Sequence, residues 1–109
     1  MSLGVDVVEV ERFRAVLARN PGFAERFFTR EERAHCAGSP ARLAGTFAAK
    51  EAVMKAAGLT PAPAWARRIH VVRDGDGRPS ARVGSRTIAV SISHDGPVAV
   101  AVALAAPDA

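Results

Sequence analysis

Within a chain of 109 residues that carries 15 basic side chains, the only two lysines lie five positions apart, at Lys50 and Lys55. Both fall in Phe47-Ala-Ala-Lys-Glu-Ala-Val-Met-Lys-Ala-Ala-Gly58. Lysine at these places in an arginine-rich chain points to sites that need a compact ammonium, for which a planar guanidinium fork is no substitute. Successive helical residues turn by about 100°, which gathers Ala48, Ala49, Ala52, Val53, Ala56 and Ala57 on one side and Phe47, Lys50, Glu51, Met54 and Lys55 on the other. The small side suits close packing against a sheet or helix. The other side reads either as a solvated face with a Glu51–Lys55 ion pair or as one acid and two bases equipped for chemistry.

A second carboxylate, Asp6, interrupts the apolar run from Leu3 to Val10. Such a group must meet a cation, a metal or several donors. Arg12 or Arg14 would give a structural salt bridge. A divalent ion shared with Glu51 would instead leave its remaining positions to phosphate oxygens of a substrate, with lysine nearby to neutralise charge building on the phosphate. A third piece, Ser91-Ile92-Ser93-His94, ends a strand in which Ile92 points inward and the serines point the other way. His94 is then either a turn histidine or a phosphate or nucleotide contact. His35 and His70 have no metal-holding or catalytic arrangement of acids and cysteines around them and read as structural or surface residues. Cys36 stands alone, which excludes an internal disulfide and a cysteine-based zinc cluster.

These groups need positioning elements, and the pattern supplies them. Alternation of Leu3, Val5 and Val7 against Gly4, Asp6 and Val8 predicts a first strand bordering the core. Val10, Phe13, Val16 and Leu17 recur at helical spacing until Asn20-Pro21-Gly22. Thr29 with Glu32 forms a capping-box pattern for a short helix closed by Gly38, and Ser39-Pro40 opens a longer helix to Gly58. Leu59 to Ala64 is a connector. Strands over 67–73, 81–83, 86–93 and 98–104 follow, with turns at Asp74-Gly75-Asp76-Gly77 and His94-Asp95-Gly96-Pro97. The order predicts an α+β fold, helices on a mainly antiparallel sheet, in one domain over residues 1–109.

Hydrophobic residues at 49% and charged residues at 24% are globular values and exclude a disordered tail. A chain this short has little bulk for a deep pocket of its own, which points to a site shared between subunits. The net charge of +4 favours an anionic partner. An arginine-rich nucleic-acid-binding domain is one reading of that charge. Against it stand an aromatic content of 6% and the lack of tyrosine, which leave no base-stacking platform. A metal-dependent phosphodiester hydrolase would need a third acidic ligand that is hard to nominate. No stretch reads as a membrane span, and Met1 to Asp6 lack a basic flank and a cleavage site, which points to a cytoplasmic protein.

Taken together, Gly4-Val-Asp-Val-Val-Glu-Val-Glu-Arg-Phe13, the Phe47–Gly58 piece and Ser91-Ile-Ser-His-Asp95 resemble the holo-acyl-carrier-protein synthase group of 4'-phosphopantetheinyl transferases. Phe28-Thr-Arg-Glu-Glu32 and Gly77-Arg-Pro79 extend the resemblance over nearly the whole chain. It implies transfer of the phosphopantetheine arm of coenzyme A to a carrier-protein serine, with release of adenosine 3',5'-bisphosphate. Asp6 and Glu51 would hold magnesium, Lys55 would contact the phosphates, and Lys50 would assist the leaving group or hold Glu51. Coenzyme A would further meet Ser93, His94, Gly77 and Pro79. The group usually has a basic residue where this chain has Thr46, so Arg42 or His94 would take over its contact with the 3'-phosphate. The segment from Ser80 to Thr87 is shorter than in many relatives, and a catalytically silent relative is therefore an alternative. The acidic carrier protein would dock on Arg12 and Arg14, with Arg19 and Arg26 as secondary contacts. Relatives of this length form trimers with coenzyme A between neighbours, so a homotrimer is implied.

Overall fold

The computed structural model describes residues 1–59 and 63–107, so residues 60–62 of the expected connector lie outside the described part. Five strands form one antiparallel sheet: β1 (Ser2–Glu9), β2 (Ile69–Arg73), β3 (Pro79–Val83), β4 (Arg86–Asp95) and β5 (Val98–Ala105), in the spatial order β1-β5-β4-β3-β2. Between β1 and β2 run α1 (Val10–Arg19), α2 (Phe23–Phe27), α3 (Arg30–Cys36), α4 (Pro40–Ala56) and the single turn α5 (Pro63–Ala66). The expected α+β class and meander are present.

Local signals placed most boundaries. Thr29 Oγ1 accepts from the Glu32 amide while Glu32 Oε1 accepts from the Thr29 amide, a complete capping box at the start of α3. Ser39 caps α4, with Pro40 just inside it, where its missing N–H costs nothing. The helix ends at Ala56, two residues short of the expected Gly58. α2 was not foreseen. The last turn also differs: β4 runs on through Asp95, and only Gly96-Pro97 connects it to β5.

The sheet packs on α4 through very small residues. The inward positions of β5 are Ala99, Ala101, Ala103 and Ala105, all buried, and α4 answers with buried Ala48, Ala49, Ala52 and Ala56. At the edge strand, a side chain on Gly4 would run into the Ala52 carbonyl oxygen and lie 2.8 Å from the Ala56 nitrogen. Glycine there is therefore a condition of the close approach. Gly4, Asp6 and Val8 face the helix, whereas Leu3, Val5 and Val7 lie on the outer face, 69, 54 and 61% exposed. At the other end of the core, all five phenylalanines cluster, with Phe27 stacked on Phe23 and Phe47 at centroid distances of 5.4 and 4.8 Å.

Candidate active site

The strand alternation that turns Asp6 inward also delivers it to α4. Lys55 Nζ lies 3.2 Å from Asp6 Oδ1 and donates to the Val5 carbonyl at 2.8 Å. The cation that satisfies this strand carboxylate is thus a lysine 49 residues away rather than Arg12 or Arg14; Arg14 pairs instead with Glu11 at 3.3 Å. Lys55 is about half exposed, so the pair contributes at most about 1 kcal/mol to stability, and its value lies in placement. One turn before Lys55 on the same helix, Glu51 is half-buried. Burial, reinforced by the nearby Asp6 carboxylate and opposed by Lys55, pushes the Glu51 carboxyl above its ordinary value. Asp6 and Glu51 open on a cleft of about 500 Å3 whose apolar wall includes Val8, Phe13, Val16, Phe23 and Phe47 and whose rim carries Arg12.

Two carboxylates that repel one another across a shared cleft suit a hard divalent cation. Among the described residues no third His, Cys, Asp or Glu joins them in a metal-holding group. Magnesium commonly takes one or two carboxylates and completes its octahedron with water and substrate phosphate oxygens, and the pair fits that habit.

A second concavity, about 160 Å3, lies between the start of α4 and the ends of β2 and β4. Arg42, Arg73 and His94 line it together with Ala41, Gly45 and Ile92. Arg42 and His94 were expected on the nucleotide side, and the structure brings them together. Arg73 was not foreseen, although it continues the inward face of Ile69 and Val71 and so had a period-two signal. Its Nη1 donates to the Gly77 carbonyl at 3.4 Å, and Pro79 is its cross-strand partner, so the Gly77–Pro79 turn adjoins this basic concavity. Ser93 does not share it: it alternates with Ile92 and His94 and sits on the outer face. Thr46 is buried, donating to the Arg42 carbonyl at 3.1 Å. Burial, with the charges of Arg73 and Arg42 added, lowers the His35 pKa.

Lys50 departs from its expected place. It is fully buried, and so is Met54, because α4 is covered on nearly every side and its wheel does not divide into core and solvent. Lys50 Nζ pairs with Glu32 Oε1 at 2.6 Å and donates to the carbonyls of Phe27 at 3.0 Å and Ala66 at 2.6 Å. With three hydrogens engaged by three acceptors, the ammonium has none left for a phosphate in either cavity. Of the arginines, Arg12, Arg14, Arg19 and Arg26 are all exposed on α1 and α2, and Arg12 lines the first cleft.

A small α+β fold, with one alanine-rich helix laid on a five-stranded antiparallel sheet and two carboxylates and a lysine at their junction, defines the class of site. The chain belongs to the 4'-phosphopantetheinyl transferase superfamily, whose family model matches residues 2–103. It is 46% identical over 116 residues to the holo-[acyl-carrier-protein] synthase of Frankia casuarinae, with 96% of each chain covered. It is 42% identical over 119 residues to the enzyme of the same name from Salinispora arenicola, covering 96% of this chain and 97% of that one. Among solved structures, the Helicobacter pylori holo-[acyl-carrier-protein] synthase in complex with coenzyme A superimposes with a TM-score of 0.84 at 26% identity, over 95% of this chain and 99% of that one. The Bacillus anthracis synthase in complex with coenzyme A (3',5'-ADP) gives 0.81 at 32% identity, over 94 and 92%.

Proposed function

We propose that this chain is a cytoplasmic holo-acyl-carrier-protein synthase, which moves 4'-phosphopantetheine from coenzyme A to a serine of an acidic apo carrier protein. The observation that carries the reading is the junction of Asp6, Glu51 and Lys55 at the mouth of the cleft, in a chain 46% identical to a holo-[acyl-carrier-protein] synthase over 96% of its length.

The serine oxygen attacks the β-phosphorus of coenzyme A, and the bond from that phosphorus to the bridging oxygen breaks. The adenosine 3',5'-bisphosphate half leaves with that oxygen. Asp6 and Glu51 would hold Mg2+ against the pyrophosphate, which supplies neutralisation of its charge. Lys55, already anchored on Asp6 and the Val5 carbonyl, presents its ammonium to the same charge. The serine proton goes to Glu51 or to a water that the metal and one carboxylate would hold. Most of the rate enhancement then comes from positioning and electrostatics. The Arg42, Arg73 and His94 concavity, with the Gly77–Pro79 turn beside it, supplies the donors suited to the adenosine-side phosphate. Arg12 and Arg14, with Arg19 behind them, face the acidic carrier and guide its approach to the cleft.

The outer face of the sheet supports a homotrimer. Leu3, Val5 and Val7 on β1 and Val102 on β5 form an exposed apolar strip that a monomer would leave in water. Closing three such strips on one another would let one subunit present the carboxylate cleft beside its neighbour's basic concavity. Incubation with coenzyme A, Mg2+ and an apo carrier should release adenosine 3',5'-bisphosphate in step with carrier modification; no release with several carriers would refute the reading.

A further inference from the structure

The buried pair behind the site has connections that stability alone does not call for. Glu32 Oε1 accepts from the Thr29 amide at 2.8 Å and Oε2 from the Val71 amide at 2.7 Å, while the same carboxylate pairs with Lys50. Lys50 in turn engages the carbonyls at the end of α2 and the end of α5. A single ion pair thereby ties α2, the start of α3, α5 and β2 to one position on α4. That position directly precedes Glu51, and adjacent helical residues project about 100° apart, so anchoring Lys50 sets the rotation of α4 about its axis and with it the direction of Glu51. On the opposite side, the contact of Gly4 with Ala52 and Ala56 holds the same helix against the strand of Asp6.

The pair reaches the cleft by a second route. Phe27, whose carbonyl Lys50 holds, stacks on Phe23 and Phe47, both of which line the cleft beside Glu51. Lys50 Nζ also lies 5.6 and 5.7 Å from the ring centroids of Phe27 and Phe28. A buried ion pair is seldom needed for stability, since well-packed apolar replacements are often neutral or better. Its directional bonds, however, select one arrangement of the elements that carry them.

We infer that Lys50 and Glu32 form a positioning pair that orients Glu51 and the aromatic wall of the cleft for the transfer step, without touching substrate. The inference rests on the reading of the chain as a phosphopantetheinyl transferase. Wild type, Glu32→Gln and the charge-neutral double variant Glu32→Gln/Lys50→Met are compared for melting temperature and for kcat and KM with coenzyme A and an apo carrier. Both variants should stay folded at the assay temperature and lose about tenfold or more in kcat, with KM for coenzyme A within about twofold of wild type. Folded variants that keep their kcat, or a loss that merely follows the unfolded fraction, would overturn the inference. So would failure of both variants to fold, because the pair would then hold the fold itself. An inactive wild type would instead refute the transferase reading.

Discussion

Lys55 of α4 bonds Asp6 of β1 across 49 residues of sequence, its Nζ 3.2 Å from Oδ1, and this contact marks the line where helix and sheet together form a site. Because the pair is partly exposed and its stabilisation small, substitution should separate function from folding. Lys55→Ala is expected to lower kcat on the order of 10²-fold while shifting the melting temperature by only a few degrees, as measured by steady-state kinetics and thermal denaturation.

Glu51 offers the opposite separation. Its folded-state pKa lies above the ordinary glutamate value, chiefly through burial and then through Asp6, so the folded protein holds this proton more tightly than the unfolded chain. Its contribution to stability is therefore lost as pH rises, beginning near the ordinary pKa of 4.5 and complete above the folded value. In metal-free protein at neutral pH, Glu51→Gln should melt at a higher temperature than wild type, with the difference vanishing below about pH 4, and should be inactive. A lower melting temperature at neutral pH would show that the carboxyl is not held against its preference.

The carrier-docking face is tested by charge reversal. Arg12→Glu with Arg14→Glu should raise KM for the carrier protein several-fold and leave KM for coenzyme A nearly unchanged, with the carrier effect shrinking at high salt. Equal effects on both substrates would place the docking surface elsewhere.

At Gly4 the demand is steric. Gly4→Ala would drive a methyl group into the Ala52 carbonyl, and a loss of about 2 kcal/mol or more is expected in denaturant unfolding. On the outer face of the same strand, Val5→Glu with Val7→Glu should leave the subunit folded but abolish the trimer in sedimentation and most of the activity with it. A fully active monomer would contradict a site shared between subunits.

Much of this was legible in the residues. Caps, breakers and alternation located β1, α1, α3, α4 and the strands of the meander, and the cost of a carboxylate in an apolar strand marked Asp6 as needing a partner, with Arg12, Arg14 or a metal shared with Glu51 as the candidates and not Lys55. The misreadings have physical causes. Leu3, Val5 and Val7 look like the core side of β1, but the helix needs glycine and alanine where it touches the sheet, and the larger residues are displaced to the outer face. α2 has five residues and its own breaker, Gly22, at its start, too short for periodicity to register. The helical wheel groups Lys50 with Glu51 and Lys55 on one open side because it assumes one wet side, whereas α4 is buried nearly all round. The remaining signal was the capping-box Glu32, a carboxylate available inside the fold for a buried lysine. Arg73 was overlooked because it lies at a strand end beside a turn, where a charged side chain is usually solvated.

The central claim is that Asp6 and Glu51 serve transfer of the phosphopantetheine arm. Its most direct test is the intact mass of an apo acyl carrier protein after incubation with this chain, coenzyme A and Mg2+. Wild type should add one phosphopantetheine to the carrier serine, and neither Asp6→Asn nor Glu51→Gln should do so above background. A carrier left unmodified by wild type, or modified at the wild-type rate by either variant, would contradict the account.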